Sequence, residues 1–282
     1  MKNLNIYIQE NTCINEKLTI VHNHYSCTPQ TKVELRKIIE KRLDQDPNAD
    51  LNDIDVSNIT DMSNLFFALD PHNIDISKWD VSNVEDMYSM FEGCKNFNSD
   101  LSSWDVSNVK DMYAMFAGCE NFDSDLSTWD VSNVNAMGRI FFNCPKFNSN
   151  ISAWDVSNVT SMIEMLSGCK QFNQDLSKWD VSKVKGMYAM FAGCENFNSD
   201  LSRWNVSNVE DMNCMFKGCK KLETDLSSWN VSNVNDMFKM FIGCAKFNSD
   251  LNDWNIGEFT NIRHMFDGCD SMKELPKWYT EK

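Results

Sequence analysis

The residues in this sequence that could do chemistry recur at a fixed interval, and aspartate is the most frequent of them. Two sets repeat every 25 residues: Asp80, Asp105, Asp130, Asp155 and Asp180, continued by Asn205, Asn230 and Asn255; and Asp100, Asp125, Asp175, Asp200, Asp225 and Asp250, interrupted by Asn150. Stacked carboxylates could hold Ca²⁺, which prefers oxygen ligands. Asn replaces Asp in both sets, however, and either side chain forms an Asx turn by accepting from the N–H two residues on. Asx turns are therefore predicted, with calcium binding as the alternative.

Cysteine recurs at the same interval, at Cys94, Cys119, Cys144, Cys169, Cys194, Cys219, Cys244 and Cys269. If the repeats stack in register, equivalent Cα atoms lie about 4.8 Å apart, which is within the range that a disulfide spans. Equivalent side chains would point the same way, however, and cysteine is a small residue that suits a tight core position. The prediction is a ladder of reduced, buried thiols, with disulfides or metal binding as the alternatives.

One cluster of metal-ligating residue types precedes the repeats and consists of Cys13, His22, His24 and Cys27. In a strand over 21–25 the two histidines would face the same side. The spacing from Cys13 to His22 is not that of a zinc finger, so zinc is only an open alternative. The sequence contains no nucleophile–base pairing, P-loop or glycine-rich nucleotide loop. We therefore predict that the chain is not an enzyme and uses no cofactor.

The 25-residue interval organises most of the chain, and tryptophan marks it at Trp79, Trp104, Trp129, Trp154, Trp179, Trp204, Trp229 and Trp254. A degenerate copy precedes these at 54–62, and the last copy changes at 256–259 before the pattern ends near Leu275. Atypical first and last units are typical of a solenoid, whose open ends must be covered. We predict one solenoid of about nine coils, which at about 4.8 Å per coil is about 40 Å long.

Within one representative coil, the apolar and turn residues indicate short elements. Val106 and Val109 predict a short strand, and Asp111, just before an apolar run, predicts a helix N-cap. Gly118 follows about two turns later and is typical of the left-handed residue that ends a helix. A second extended piece is predicted over 122–126. The predicted fold is thus an α/β repeat in which each coil contains short parallel strands and a short helical turn.

The first 50 residues lie outside the interval. Alternating residues at 4–8 and 18–21 predict a hairpin. Helical spacing over 31–43, with Pro29 ahead of it, predicts a helix that covers the first coil. The predicted organisation is an N-terminal cap over 1–50, a repeat solenoid over 51–275 and a C-terminal tail over 276–282.

In-phase apolar columns and variable positions separate the predicted core from the predicted surface. Methionine and phenylalanine recur in phase, which predicts that they fill the core. The position after Asp-Met and its neighbour vary from coil to coil. Aromatic and charged residues at such positions are typical of an interaction surface, although unconstrained surface variation is the alternative. The candidate partner-binding residues are Tyr88, Tyr113, Tyr188, Phe238, Arg139 and Lys239.

Composition and charge limit the possible partners. The chain has 282 residues, is 42% hydrophobic and 12% aromatic, and carries a formal net charge of −15. The apolar content is enough for a core, and the charge disfavours nucleic acid and anionic membranes because both would repel it. The first 25 residues lack the continuous apolar segment of a signal peptide, and no run is long enough to span a membrane. A soluble monomer is expected, and reduced thiols favour the cytoplasm.

The phrase F-N-x-D-L-S-x-W-D-V-S-N-V-x-D-M-x-x-M-F-x-G-C recurs over about residues 50–275. It resembles the 25-residue repeat of the BspA-like leucine-rich-repeat surface proteins, including mycoplasmal lipoproteins of unknown function. Its half from Val109 to Cys119 is also similar to the shorter treponemal leucine-rich repeat. The resemblance implies a right-handed, leucine-rich-repeat-like solenoid and adhesion or other protein binding at the cell surface. The surface members carry a leader, lipobox or wall anchor that this sequence lacks. The predicted reduced thiols therefore favour the cytoplasm, whereas the resemblance favours the cell surface or secretion.

The predicted function is non-catalytic protein binding or adhesion along the variable face of the solenoid. The alternative is a rigid acidic rod with a structural role, or one that mimics nucleic acid on a basic partner protein. The two hypotheses differ in the partner's chemistry, because only the second requires strongly salt-sensitive binding.

Overall fold

The computed structural model describes residues 25–280, so the hairpin predicted at 4–8 and 18–21 lies outside the described residues. One helix, α1, spans Lys32–Gln45, which confirms the helix predicted over 31–43. It begins after Thr31, whose side-chain oxygen accepts from the N–H of Glu34 at 3.2 Å. This bond satisfies an amide that has no acceptor within the helix. Among residues 25–280, no helix has the length and hydrophobicity needed to cross a bilayer.

Helix α1 covers one end of the repeats. Its residues Leu35 and Ile39 are fully buried in the same apolar core as the first coil. The guanidinium of Arg36 donates to the carbonyls of Leu65 (3.1 Å) and Phe67 (3.0 Å). The helix therefore contributes both apolar contacts and hydrogen-bond donors to the first coil.

The remaining described residues form a solenoid whose coils are joined by isolated parallel bridges. The bridges connect positions 25 residues apart, in a series that runs from Asp61↔Asp86 through Asp86↔Asp111 to Asp236↔Asn261. This confirms a repeat solenoid. The predicted short strands and the helical turn after Asp111 are wrong, because the described part of the chain after Gln45 contains no further helix and no strand beyond isolated bridges.

The backbone conformation explains why no helix forms after Asp111. Alternate amides donate to the next coil and to the residue three positions earlier in the same coil. The donors to the next coil are Met112, Ala114, Phe116 and Gly118, and those within the coil are Met115, Ala117 and Cys119. Ala114 and Gly118 have φ of +54° and +76°, a region that a right-handed helix never uses. The left-handed conformation predicted for Gly118 is confirmed. The residue lies between tight turns, however, and does not end a helix.

The core consists of columns that run along the stack, as predicted. The methionine and phenylalanine columns and the cysteine ladder are buried. Successive phenylalanine rings stack, with centroids 5.6 Å apart for Phe91 and Phe116. Each indole N–H from Trp79 to Trp254 donates to a carbonyl 28 residues earlier, at 2.9–3.1 Å. These columns hold the coils in register, so variable positions also align.

Candidate partner-binding surface

The residues at the position that follows Asp-Met in the consensus repeat form a line along the solenoid, here called the variable column. It consists of Tyr88, Tyr113, Gly138, Ile163, Tyr188, Asn213, Phe238 and Arg263. A bridged residue precedes each member by two positions in the coils from residue 86 to 261, which keeps the members in register. Tyr88 and Tyr188 are 40% and 37% exposed, and Tyr113 and Phe238 are half-buried. The column therefore presents partly exposed aromatic rings on a fixed backbone.

Tyr88 and Tyr113 form the most ordered part of the variable column. Their rings are nearly parallel, at 9°, with centroids 5.6 Å apart. The ring of Tyr113 extends over Gly138, where a Cβ atom would lie only 3.0 Å from Cε2 of the tyrosine. Gly138 thus leaves space for the ring, a role that was not predicted from the sequence. The sequence feature that indicates this role is a glycine at a position where the other coils carry larger side chains.

Arg139 is half-buried, although the sequence predicted it as part of an exposed surface. Its guanidinium lies 4.3 Å from the ring centroid of Phe142, in cation–π geometry. Its Nε lies 3.3 Å from a carboxylate oxygen of Glu164 in the next coil. Arg139 is therefore engaged within the solenoid, and Phe142 and Glu164 belong to the same cluster.

The other candidate residues lie further along the column. The ammonium of Lys239 is 4.8 Å from the ring centroid of Phe238, whose ring meets His264 edge-on at 5.9 Å. Tyr188 stands between Ile163 and Asn213, and partial burial raises its pKa above the ordinary value. The structure thus brings together Tyr88 with Tyr113, and Phe238 with Lys239. It leaves Arg139 and Tyr188 separate from both pairs.

The aspartate columns form Asx turns, as predicted. Except for Asn255, each described member accepts from the N–H two residues on, at 2.9–3.2 Å. Hydrogen bonds from the hydroxyl and N–H of Ser107 hold the pKa of Asp105 below its ordinary value of 3.8. Asp111, in a different column, also accepts from the N–H two residues on, but burial raises its pKa. Carboxylates in the two predicted columns are therefore turn acceptors.

The metal alternatives concern different parts of the chain. Among residues 25–280, no three His, Cys, Asp or Glu side chains are placed together to hold a metal ion. Of the cluster Cys13, His22, His24 and Cys27, only Cys27 is described, and it is buried. That cluster stays an open alternative.

The cysteine ladder consists of free, buried thiols that donate to backbone carbonyls. Each Sγ from Cys94 to Cys269 along the ladder points to a carbonyl 28 residues earlier, at 2.9–3.3 Å. Burial raises the pKa of Cys94 to about 12 and raises that of the other ladder thiols. The ladder therefore has a structural role. Cys214 is a half-buried thiol outside the ladder.

Comparison with solved structures gives weak likenesses to leucine-rich-repeat proteins. The chain is similar to one from Bacteroides ovatus, with 11% identity and a TM-score of 0.27, over 79% of this chain and 66% of that chain. It is also similar to one from Leptospira interrogans, with 9% identity and a TM-score of 0.24, over 81% and 78% of the two chains. The chain thus spans just under two thirds of the Bacteroides ovatus protein. No curated protein is similar to it in sequence.

Sequence similarity at the level of families is extensive. The family described as "Mycoplasma protein of unknown function, DUF285" matches the chain three times, over residues 34–144, 120–216 and 193–282. The three matches overlap and together cover residues 34–282, which include most of α1 and the repeats. They confirm the predicted likeness to mycoplasmal proteins of unknown function. The chain therefore belongs to the DUF285 family.

Proposed function

We propose that this chain is a non-catalytic scaffold that binds a protein partner through the variable column. The observation that carries the proposal is the stacked, partly exposed pair Tyr88 and Tyr113. Tyrosine supplies a large contact area with few rotatable bonds, so little side-chain entropy is lost on binding. Tyr188 and Phe238 continue the same column. The proposal includes the right-handed winding of about nine coils and the binding role that the BspA-like resemblance implies.

The rigidity of the column supports the proposal. The amide of Met87 donates to the carbonyl of Asp111, and that of Ser89 donates to the carbonyl of Tyr113, at 2.9 and 2.8 Å. These bonds flank Tyr88 on both sides, so its backbone is fixed before a partner arrives. A preorganised surface loses less conformational entropy on association than a mobile one.

The use of polar side chains in turns supports a non-catalytic role. A shallow depression beside Trp104 is lined by Ser102, Asp105 and Thr128. There the Asp105 carboxylate accepts from the N–H of Ser107, and the Thr128 hydroxyl donates to the carbonyl of Ser102. A catalytic cleft requires polar groups that converge on a substrate, whereas these groups are engaged by the backbone.

The test compares capture of proteins by the wild-type chain and by a Tyr88→Ser/Tyr113→Ser variant. Lysate and surface fractions of the native organism are passed over each immobilised chain, and retained proteins are identified by mass spectrometry. We expect a partner that the wild type retains and that the variant loses. Val33→Ser removes a 61% exposed apolar side chain from α1 and serves as the matched control. Equal retention by the double variant would contradict the proposal.

A second function is favoured by one specific observation, which is the pair of exposed aspartate columns. Their turn hydrogen bonds favour the ionised carboxylates, as the lowered pKa values of Asp100, Asp130 and Asp180 indicate. A rod with regularly spaced negative charge could occupy a basic groove of a nucleic-acid-binding protein. This function requires that capture of the partner weakens steeply between 50 and 500 mM salt. Over that range the Debye length falls about threefold. Binding through tyrosines requires a weak salt dependence.

A further inference from the structure

The two ends of the solenoid are completed differently. In most internal coils, four alternate amides donate to four alternate carbonyls of the next coil, and the coil that begins at Met137 has three such bonds. For the coil that begins at Met237, the donors are Met237, Lys239, Phe241 and Gly243, and the acceptors are Asn261, Arg263, Met265 and Asp267, at 2.7–3.0 Å. An end coil lacks one neighbour, so its carbonyls or its amides must find other partners.

At the N-terminal end the chain supplies those partners itself. Arg36 of α1 donates to the carbonyls of Leu65 and Phe67, which are the first coil's equivalents of internal acceptors. Lys32 donates to the Asp61 carboxylate at 2.6 Å and to the Ser63 hydroxyl at 2.7 Å. The Arg36 guanidinium thus replaces part of the amide row that a preceding coil would provide, and Lys32 binds side chains of the same coil.

At the C-terminal end the corresponding row has no acceptor among the described residues, and we call it the amide edge. It consists of the N–H groups of Ile262, His264, Phe266 and Gly268. No residue within 25–280 accepts a hydrogen bond from any of them. His264 and Gly268 are exposed, and both have positive φ, of +58° and +75°, as their internal equivalents do. The amide edge therefore keeps the conformation of an internal donor row without its acceptors.

Within residues 25–280, the chain closes only the aromatic half of this end. The Trp278 ring stacks on Trp254 with centroids 6.3 Å apart, and its indole N–H donates to the carbonyl of Leu251 at 2.6 Å. Tyr279 meets Phe266 edge-on at 5.1 Å. These contacts cover the columns of rings and leave the amide edge as the exposed remainder. Met265, between its donors, is already fully buried.

We propose that the amide edge binds a segment of a partner polypeptide that adopts the turn conformation of an internal coil, through that segment's backbone carbonyls. The internal coils define the fit, because their acceptors are carbonyls of alternate residues within a seven-residue stretch, such as 261–267. An added segment that pairs by its backbone is a known mode of peptide recognition. Since Met265 is covered already, the partner is selected by its free carbonyls more than by apolar side chains. The inference is independent of the variable column.

A second copy of this chain does not fit as the occupant. Head-to-tail stacking needs the carbonyls of Leu65 and Phe67, which Arg36 occupies and α1 covers. Tail-to-tail stacking would place N–H donors against N–H donors, which cannot pair. A bound anion is also disfavoured, because the exposed charges nearby balance. These are Arg263, Lys273 and Lys277 against Asp267, Asp270 and Glu274.

The test is amide hydrogen exchange measured by nuclear magnetic resonance on the full chain. Alone, the amides of His264 and Gly268 should exchange at least about 100-fold faster than those of Lys239 and Gly243, because only the latter have acceptors. The probe is a peptide of residues 210–220 with C214S and C219S, which offers the carbonyls of an internal coil. At ten times its dissociation constant it should slow exchange at the amide edge about tenfold. Its all-D enantiomer is the control.

Four results would overturn the proposal. They are slow exchange at the amide edge in the isolated chain, protection that rises with protein concentration, protection by inorganic phosphate alone, and no difference between the peptide and its enantiomer. The second would indicate self-association and the third an anion site. Repeating the titration with Tyr88→Ser/Tyr113→Ser separates the two proposals. That variant removes the variable-column pair and should bind the peptide unchanged.

Discussion

The indole N–H of Trp154 donates to the carbonyl of Leu126, 28 residues earlier, at 3.0 Å. Both residues are buried, and the Leu126 carbonyl also accepts from the N–H of Trp129 at 3.2 Å. The tryptophan therefore fills core volume and also joins its coil to the preceding one. This double role explains why a residue as large as tryptophan recurs without insertion in the coils from Trp79 to Trp254.

Trp154→Phe should lower the free energy of unfolding by about 2 kcal/mol. About half of this comes from the lost hydrogen bond and about half from the smaller buried area. Chemical denaturation monitored by circular dichroism measures the loss. The benzothienyl analogue of tryptophan at residue 154 keeps the ring size and lacks the N–H, so it should cost only about 1 kcal/mol. If this analogue unfolds like the wild type, the bond to Leu126 contributes no stability.

Native alkylation should separate Cys214 from the cysteine ladder. Burial raises the pKa of all four thiols, but Cys214 is only half-buried, whereas Cys144, Cys169 and Cys194 are fully buried. Thiolate is the reactive form, so ladder thiols should react at least about 100-fold more slowly with iodoacetamide than Cys214. Peptide mass spectrometry reads the rates residue by residue. In denaturant the rates should converge; equal rates in the native protein would contradict a buried ladder.

The periodic columns could be predicted from the sequence, and the turn conformations could not. Trp154 and Cys144 each recur every 25 residues, and strict recurrence of large or tightly fitting residues requires stacking in register. The segment after Asp111 reads as a helix because it is apolar and ends in Gly118. The ladder between coils overrides this local preference by placing Ala114 at positive φ. The positive φ of Ala114 depends on contacts with the next coil, which the sequence of a single repeat does not reveal.

The candidate surface was predictable only in part for a related reason. Recurrence places Tyr88 and Tyr113 in one column, so their contact follows from the register. The engagement of Arg139 with Phe142 depends on the direction of a long side chain, which positive φ at residue 139 sets. Sequence variation at this position indicated exposure, whereas the backbone turns the side chain into a local cluster.

The positive φ at residue 189 predicts an unusual sensitivity to β-branched residues. Ala189 is buried and has φ of +49°, and none of its repeat equivalents is valine, isoleucine or threonine. Ala189→Val should lower the free energy of unfolding by about 2 kcal/mol or more, because a residue with a branched Cβ is strained in the left-handed region. Ala189→Gly should stay within about 1 kcal/mol of the wild type, since relief of strain offsets the added chain entropy.

Ala192→Val provides the control for this prediction in the same coil. Ala192 is half-buried, and its repeat equivalent Ile242 shows that a branched residue is accepted there. Ala192→Val should change the free energy of unfolding by no more than about 0.5 kcal/mol. Thermal unfolding of the three variants measures the order of their stabilities. Similar costs for valine at both positions would show that the φ of residue 189 imposes no constraint.

The Asx turns predict how stability depends on pH. Hydrogen bonds from Ser107, Ser132 and Ser182 lower the pKa of Asp105, Asp130 and Asp180 in the folded chain. A lowered folded-state pKa adds stability that is present above the unfolded value of about 3.9 and is lost as the pH falls through the folded value. Replacing these three aspartates by asparagine should therefore reduce the fall in Tm between pH 7 and pH 3. The fold should persist, because Asn205 and Asn230 form the same turn.

A matched triple variant distinguishes the turn bonds from net charge. Asp253→Asn, Glu258→Gln and Asp270→Asn remove three exposed carboxylates that accept no hydrogen bond from any residue within 25–280. This variant has the same net charge as the Asx variant and should keep the wild-type dependence of Tm on pH. If both variants change the dependence equally, repulsion between charges and not turn formation controls acid stability.

Arg36 should hold the first coil in place through its hydrogen bonds to backbone carbonyls. Its side chain is 28% exposed and donates to the carbonyls of Leu65 and Phe67. Arg36→Met keeps the apolar stem but leaves these acceptors without their donor, so it should lower the free energy of unfolding by about 1–3 kcal/mol. Arg36→Lys should recover part of this loss, because one ammonium cannot reach both carbonyls as the forked guanidinium does.

The location of the effect tests this role of Arg36 most directly. In a solenoid each coil contacts only its neighbours, so Arg36→Met should accelerate exchange of the Asn64 and Phe66 amides and leave Lys239 and Phe241 unchanged. Lys37→Met, an exposed substitution on the same helix, is the control and should alter neither pair. Uniform acceleration along the chain would mean that the solenoid unfolds as one unit. Unchanged exchange at Asn64 and Phe66 would mean that the apolar contacts of Leu35 and Ile39 are sufficient to hold the first coil.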